Sequence, residues 1–264
     1  MKLLITLCRV LIAIVLISAS SHNAAADSVQ GSSTALVKQA KTPKIRVLVF
    51  AKTASFRHKS IAAGKLAIKK LGLSHGFEVE ISENAAQFTY EALQQFNVVV
   101  FLNTTGDILT PKQQSAFERY IQAGGGFVGI HAATDTEYDW SWYGKLVGAY
   151  FASHPKQQIA TILVDDNSHQ STVHLNSQWQ RFDEWYNFRS LNPEVKVLLS
   201  LDESSYQGGK NGQHHPIAWY HEYDGGRAFY TGGGHTTSSY AEPQFLQHLL
   251  GGILYSASAQ LTDK

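Results

Sequence analysis

The chain has 264 residues, 44% of them hydrophobic and 16% charged, a composition that excludes a disordered chain, a collagen and a polytopic membrane protein. A formal net charge of +1 leaves no electrostatic footprint for nucleic acid or anionic membranes. One cysteine excludes a disulfide framework and any site built on several thiolates, whereas twelve histidines are an unusual excess.

Lys2 and Arg9 precede an apolar run at residues 10–19, and Ala24 and Ala26 then form an A-x-A site. This is the pattern of a secretory signal peptide over residues 1–26, because the run is about half the ~20 residues of a spanning helix. Export to a periplasmic or secreted location follows, with no membrane insertion after cleavage. Cys8 leaves with the signal, so the mature chain has no thiol nucleophile. Residues 27–43 are polar and aperiodic, a flexible leader.

From residue 45 the signals alternate. IRVLVF (45–50) is a buried-strand run, and Ser60 opens a helical pattern with Gly72 as its expected stop. FEVEIS (77–82) alternates as a strand, 90–96 reads as a short helix, and VVVFL (98–102) is a second buried run. Thr110-Pro111 caps the next helix, and GFVGI (126–130) is the strand after it. Strand and helix in alternation predict a parallel, doubly wound sheet whose ligands bind at the carboxyl ends of the strands. The loops to read are therefore 51–59, 103–107 and 131–139. Further strands are expected at 159–164, 195–201, 217–220 and 227–231, partly antiparallel, with a closing helix at 242–255.

GIHAA (129–133) places His131 between small residues at a strand-to-helix turn, where a nucleophile elbow would hold Ser or Cys. The polar residues on the loops are His58, His131, Asp135, His154, Asp183, Glu184 and His235, with Arg57 beside His58 able to fork onto a carboxylate, phosphate or hydroxyl. Imidazole titrates near neutrality and suits proton transfer. The same side chains suit Zn2+ or another divalent transition ion, yet no two histidines have a close ligand spacing, so no metal ligands are assigned and no cofactor is certain. Aromatics cluster nearby, with Trp185 and Tyr186 following the acidic pair, an arrangement suited to the C–H face of a sugar. His215, followed by Pro216, is expected to face inward, and His214 outward.

Four groups of residues carry a resemblance: KTASFRHKSI (52–61), GGGFVGIHAATD (124–135), ASHP with DEWYNF (152–155 and 183–188), and FYTGGGHTTSSYAEPQF (229–245). The chain resembles the ThuA-like (trehalose utilisation) family of the class I glutamine amidotransferase-like superfamily over residues 44–256, leaving 257–264 as a tail. The resemblance implies a flavodoxin-like α/β domain, with a mostly parallel sheet flanked by helices and an irregular, β-containing second half. It also implies a small carbohydrate as partner, a trehalose-type disaccharide or a keto-sugar; no oligomeric state follows. Working amidotransferases keep Cys at the elbow and a later His-x-Glu; here His131 holds the elbow and Thr236 and Thr237 follow His235, so glutamine hydrolysis is rejected. Gly234 stands where Leu is more usual, a change expected to matter little. On this reading His131 and His235 transfer protons, Asp183 or Glu184 orients one of them, and Arg57, His58, Asp135, His154, Trp185 and Tyr186 bind substrate. A sugar-binding accessory protein and a metal-dependent hydrolase are the alternatives.

Overall fold

A computed structural model describes residues 44–258; the segments read as signal peptide and leader lie outside them, as does most of the expected C-terminal tail. Among the described residues no helix is long and apolar enough to cross a membrane.

The buried apolar runs become β1 (Arg46–Phe50), β3 (Val98–Leu102) and β4 (Gly126–Ile130), and the alternating segment becomes β2 (Glu78–Ser82), a strand with no buried residue that lies parallel to β1. Every residue of β3 and β4 is buried, as expected of strands covered on both faces. Four more strands named by the sequence follow as β6 (Gln158–Val164), β9 (Lys196–Asp202), β10 (Pro216–Tyr223) and β11 (Gly226–Thr231). Together with β7 (Gln178–Asp183) they form a nine-stranded sheet in the order β2-β1-β3-β4-β11-β10-β9-β6-β7. The first five are mutually parallel, in a flavodoxin-like order. The last four join them by antiparallel pairing. A separate two-stranded ribbon pairs β5 (Tyr150–Ser153) with β8 (Asn187–Arg189).

Helix α1 (Ile61–His75) runs past its expected stop. Gly72 is a packing residue, since a Cβ there would lie 2.7 Å from Val79, and Gly76 ends the helix with φ 78°. The short helix α2 closes early (Tyr90–Leu93), α3 (Pro111–Gln122) starts at the predicted cap, and α5 (Pro243–Ala257) packs on β11 and β4. One helix, α4 (Ser141–Val147), is not marked in the sequence pattern. It ends at Gly148, where φ is 94° and a Cβ would meet Trp219 Nε1 at 2.2 Å. Gly148→Ala is therefore expected to destabilise the fold by about 1–3 kcal/mol, read as a lower urea midpoint at unchanged slope.

β5, β7 and β8 carry no strand signal in the sequence. In β7 the alternation is inverted: Arg181 and Asp183 face inward with Trp179, and Phe182 faces solvent with Gln178 and Gln180. A pattern that assumes apolar side chains inside cannot see such a strand.

Candidate metal centre

The loops beyond the carboxyl ends of the strands meet at one point. The loop after β1 brings His58, His131 directly follows β4, and β11 leads through Gly232 and Gly234 to His235. From the antiparallel half, the residue after β7 supplies Glu184. One ligand atom from each of His58, His131, Glu184 and His235 lies within 4.8 Å of all the others. His235 Nδ1 is 3.0 Å from Glu184 Oε2 and 3.2 Å from His131 Nε2, and His131 Nε2 is 3.6 Å from the same carboxylate oxygen. The ring of His58 meets those of His131 and His235 edge-on, at 5.0 and 5.1 Å between centroids.

Local backbone explains the aim of each group. His131 has φ 49°, a left-handed conformation that turns the chain sharply out of β4 and directs its side chain over the sheet edge. The elbow expected at GIHAA is thus present, with imidazole at its apex. His131 Nδ1 donates to the Gly232 carbonyl at 2.8 Å, which leaves Nε2 with its lone pair facing the centre. Tyr186 packs 4.1 Å from that ring. His58 Nδ1 is buried with no hydrogen-bond partner among the described residues. Burial, followed by the neighbouring His131 and His235, pushes His58 down to about 3, so it stays neutral and able to donate its lone pair. Burial opposes ionisation of Glu184, but the close imidazoles of His131 and His235 outweigh it and hold the carboxyl well below its usual range. Three imidazoles and one carboxylate form a donor set suited to Zn2+ or a neighbouring divalent ion. Sequence spacing could not reveal it, because the ligands arrive from four separate segments.

Asp183 is fully buried and supports the ligands from beneath. Its Oδ1 accepts from the backbone N–H groups of Glu184 at 3.0 Å and His235 at 3.1 Å. Its Oδ2 accepts from the Gly234 N–H at 2.8 Å and Ser239 Oγ at 3.0 Å, and Arg181 lies at 3.3 Å. All of its capacity is used in this way, so Asp183 positions two ligands and has no lone pair to spare for substrate or for an imidazole ring. Two residues complete the scaffold, Ser60, read in the sequence only as a helix opener, and Asn103. Ser60 Oγ donates to the Gly234 carbonyl at 3.0 Å, and Asn103 Nδ2 donates to Ser60 Oγ at 3.0 Å and to the same carbonyl at 3.3 Å. Asn103 belongs to a loop the strand-end rule picks out, but nothing in its sequence context marks it.

Gly234 matters more than its sequence context suggests. Its φ is 110°, a region essentially closed to side chains, and a Cβ would approach Tyr240 Oη to 2.7 Å. The expectation that this departure is of little consequence is corrected: in this chain, Leu at 234 is incompatible with the backbone that delivers His235. Gly234→Ala is expected to weaken metal binding at least tenfold, measured by competition with a chromogenic chelator.

The remaining candidates divide. His154 Nδ1 lies 3.3 Å from Glu184 Oε1, and its side chain is partly open to solvent. Asp135 accepts a 2.6 Å hydrogen bond from Tyr138, and burial raises its carboxyl pKa. Arg57 is not in the cluster; both guanidinium branches pair with Glu83, at 2.8 and 3.0 Å. Trp185 and Tyr186 are buried, and Trp185 Nε1 donates to the Gln158 carbonyl at 2.9 Å, so the expected stacking role is corrected: neither ring has a face open to a sugar. His215 faces inward as expected and joins Glu203 Oε1 to the Tyr186 carbonyl, each at 2.8 Å.

The family model ThuA, described as trehalose utilisation, matches residues 46–256. A ThuA-like protein from Bacteroides uniformis, 26% identical, superposes with a TM-score of 0.69 over 81% of this chain and 91% of that one. Another from Parabacteroides merdae is 19% identical, with a TM-score of 0.69 over 84% and 93%. A GMP synthase component from Thermoplasma acidophilum, 11% identical at a TM-score of 0.51, shares the fold alone and covers 83% of this chain and 98% of that one. No curated protein sequence matches the chain.

Proposed function

The chain belongs to the ThuA family, and from that premise we propose that it is an exported, metal-dependent enzyme acting on a trehalose-type disaccharide or a keto-sugar. The observation that carries this reading is the convergence of His58, His131, Glu184 and His235 within 4.8 Å. A divalent ion held there would polarise a carbonyl or hydroxyl oxygen of the sugar. His131 and His235 then serve as ligands and not as the proton carriers that sequence position suggests, since His131 Nδ1 is committed to Gly232. Proton transfer passes to His154, partly exposed and beside the other oxygen of Glu184. Asp135, with its carboxyl pKa raised by burial, is the second proton-handling group; His131 and His154 both act on it electrostatically. The signal-like N-terminus supports export, and the lack of any cysteine but Cys8 argues against thiolate-based glutamine hydrolysis.

Untagged protein is expected to carry about one equivalent of a divalent ion by elemental analysis, and His131→Ala and His235→Ala each to carry none. Chelation should abolish turnover of trehalose or a keto-glucoside, and restoring the ion should return it. A parent protein that retains no Zn, Mn or Ni after loading and dialysis would falsify the reading.

A further inference from the structure

Among the Phe, Tyr and Trp side chains of the described residues, only Phe56 and Phe182 are exposed, at 60% and 48%. Both border the metal centre. The Phe56 ring stands edge-on to His58 at 4.8 Å, and Phe182 lines an open cleft of about 640 Å³ together with Glu184, His154, Pro155, Lys156 and Gln157. Glu184 belongs to both places, so the cleft opens directly onto the ligand set.

Phe182 gains nothing for the fold by pointing outward, and its neighbours Arg181 and Asp183 occupy the interior. Its cross-strand partner on β6 is Ile159, also exposed, so the two form a small apolar patch, of which Phe182 is the apolar floor of the cleft. Lys156, Gln157 and His154 provide hydrogen-bonding groups at the rim. An apolar floor with a polar rim matches a pyranose ring, whose C–H face is apolar and whose edge carries hydroxyls. The patch is too small for a face-to-face dimer contact, since Gln178 and Gln180 share its face of β7.

We infer that the Phe182 cleft is a saccharide subsite next to the metal centre, and that the substrate is a glycoside of at least two rings. One ring meets the ligand set, and its neighbour lies on Phe182. The inference rests on the carbohydrate-processing role proposed above and narrows it to disaccharides or larger glycosides.

The test is calorimetric titration of the zinc-loaded protein with trehalose, cellobiose and glucose, in the parent and in Phe182→Ala, Phe182→Leu and Phe182→Trp. The parent should bind at least one disaccharide tenfold or more tighter than glucose. Ala and Leu should both erase that advantage while glucose binding stays within twofold, and Trp should retain it. Thermal unfolding and zinc content should match the parent in all three variants. Unchanged disaccharide affinity in Phe182→Ala overturns the subsite, as does equal weakening of glucose. So does a parent dimer that dissociates in Phe182→Ala by light scattering. Zinc bound without any saccharide affinity overturns the subsite alone. Phe182-dependent disaccharide binding in a parent that holds no metal overturns the metal-dependent reading and leaves the subsite standing.

Discussion

Asp183→Ala is expected to cost roughly 3–5 kcal/mol of unfolding free energy and to weaken metal binding about 10–100-fold. The stability loss comes from Arg181, which is buried against Asp183 and lies over the rings of Trp179 and Phe245 at 4.9 and 4.5 Å. Without Asp183, its only carboxylate contact among the described residues is Glu242, at 3.1 Å. The affinity loss has a separate origin. One carboxylate holds the backbone N–H groups of Glu184, Gly234 and His235, so its removal frees two ligand segments together. Asp183→Asn keeps the volume and one acceptor but turns an amide toward donors, and it should fall between the parent and Ala. Urea unfolding and chelator competition give the two numbers. A loss below 1 kcal/mol with unchanged metal affinity would remove Asp183 from its positioning role.

The second large effect is acid sensitivity of the metal-free chain. Burial pushes two histidines down to about 3: His58, assisted by its imidazole neighbours, and the fully enclosed His248. Between an unfolded value near 6.5 and the folded value near 3, the unfolded chain binds more protons than the folded one. Stability from both groups is therefore complete above about pH 6.5 and is lost progressively as pH falls toward 3. Each group contributes a slope of up to about 1.4 kcal/mol per pH unit in that window. A bound ion adds stability near neutrality that protons remove by competing for the same imidazoles. Urea midpoints from pH 8 to 4.5, with and without chelator, should show a plateau followed by a fall, shallower in His58→Asn. A flat metal-free profile between pH 6.5 and 5 would contradict the buried, neutral state of these rings.

The parallel half of the sheet is legible in sequence because its strands are short apolar runs separated by helices with ordinary caps, as at Thr110-Pro111. The antiparallel edge is not, since β7 buries Arg181 and Asp183 and exposes Phe182. That inversion also explains the uneven reading of the site. His58, His131, His154, Glu184 and His235 are found as residues, because strand-end loops and family motifs mark them. The convergence of His58, His131, Glu184 and His235 on one point is a property of strand order, to which local spacing is blind. The aromatics show the same limit. Trp185 and Tyr186 adjoin the acidic pair in sequence yet are buried in space, whereas Phe56 and Phe182 carry no local signal of exposure.

The order of the ligands along the chain bears on how the centre is born. His58 comes from the first strand-end loop of the domain and His235 from its last, with the β10-β11 hairpin completed just before it. A nascent or truncated chain that stops short of β11 has at most three ligands and no Gly232 carbonyl to fix the tautomer of His131. Tight capture of an ion therefore belongs to the end of folding, after the two halves of the sheet have joined. An ion bound there would act as a late clasp on a finished architecture and not as a nucleus around which the chain collapses.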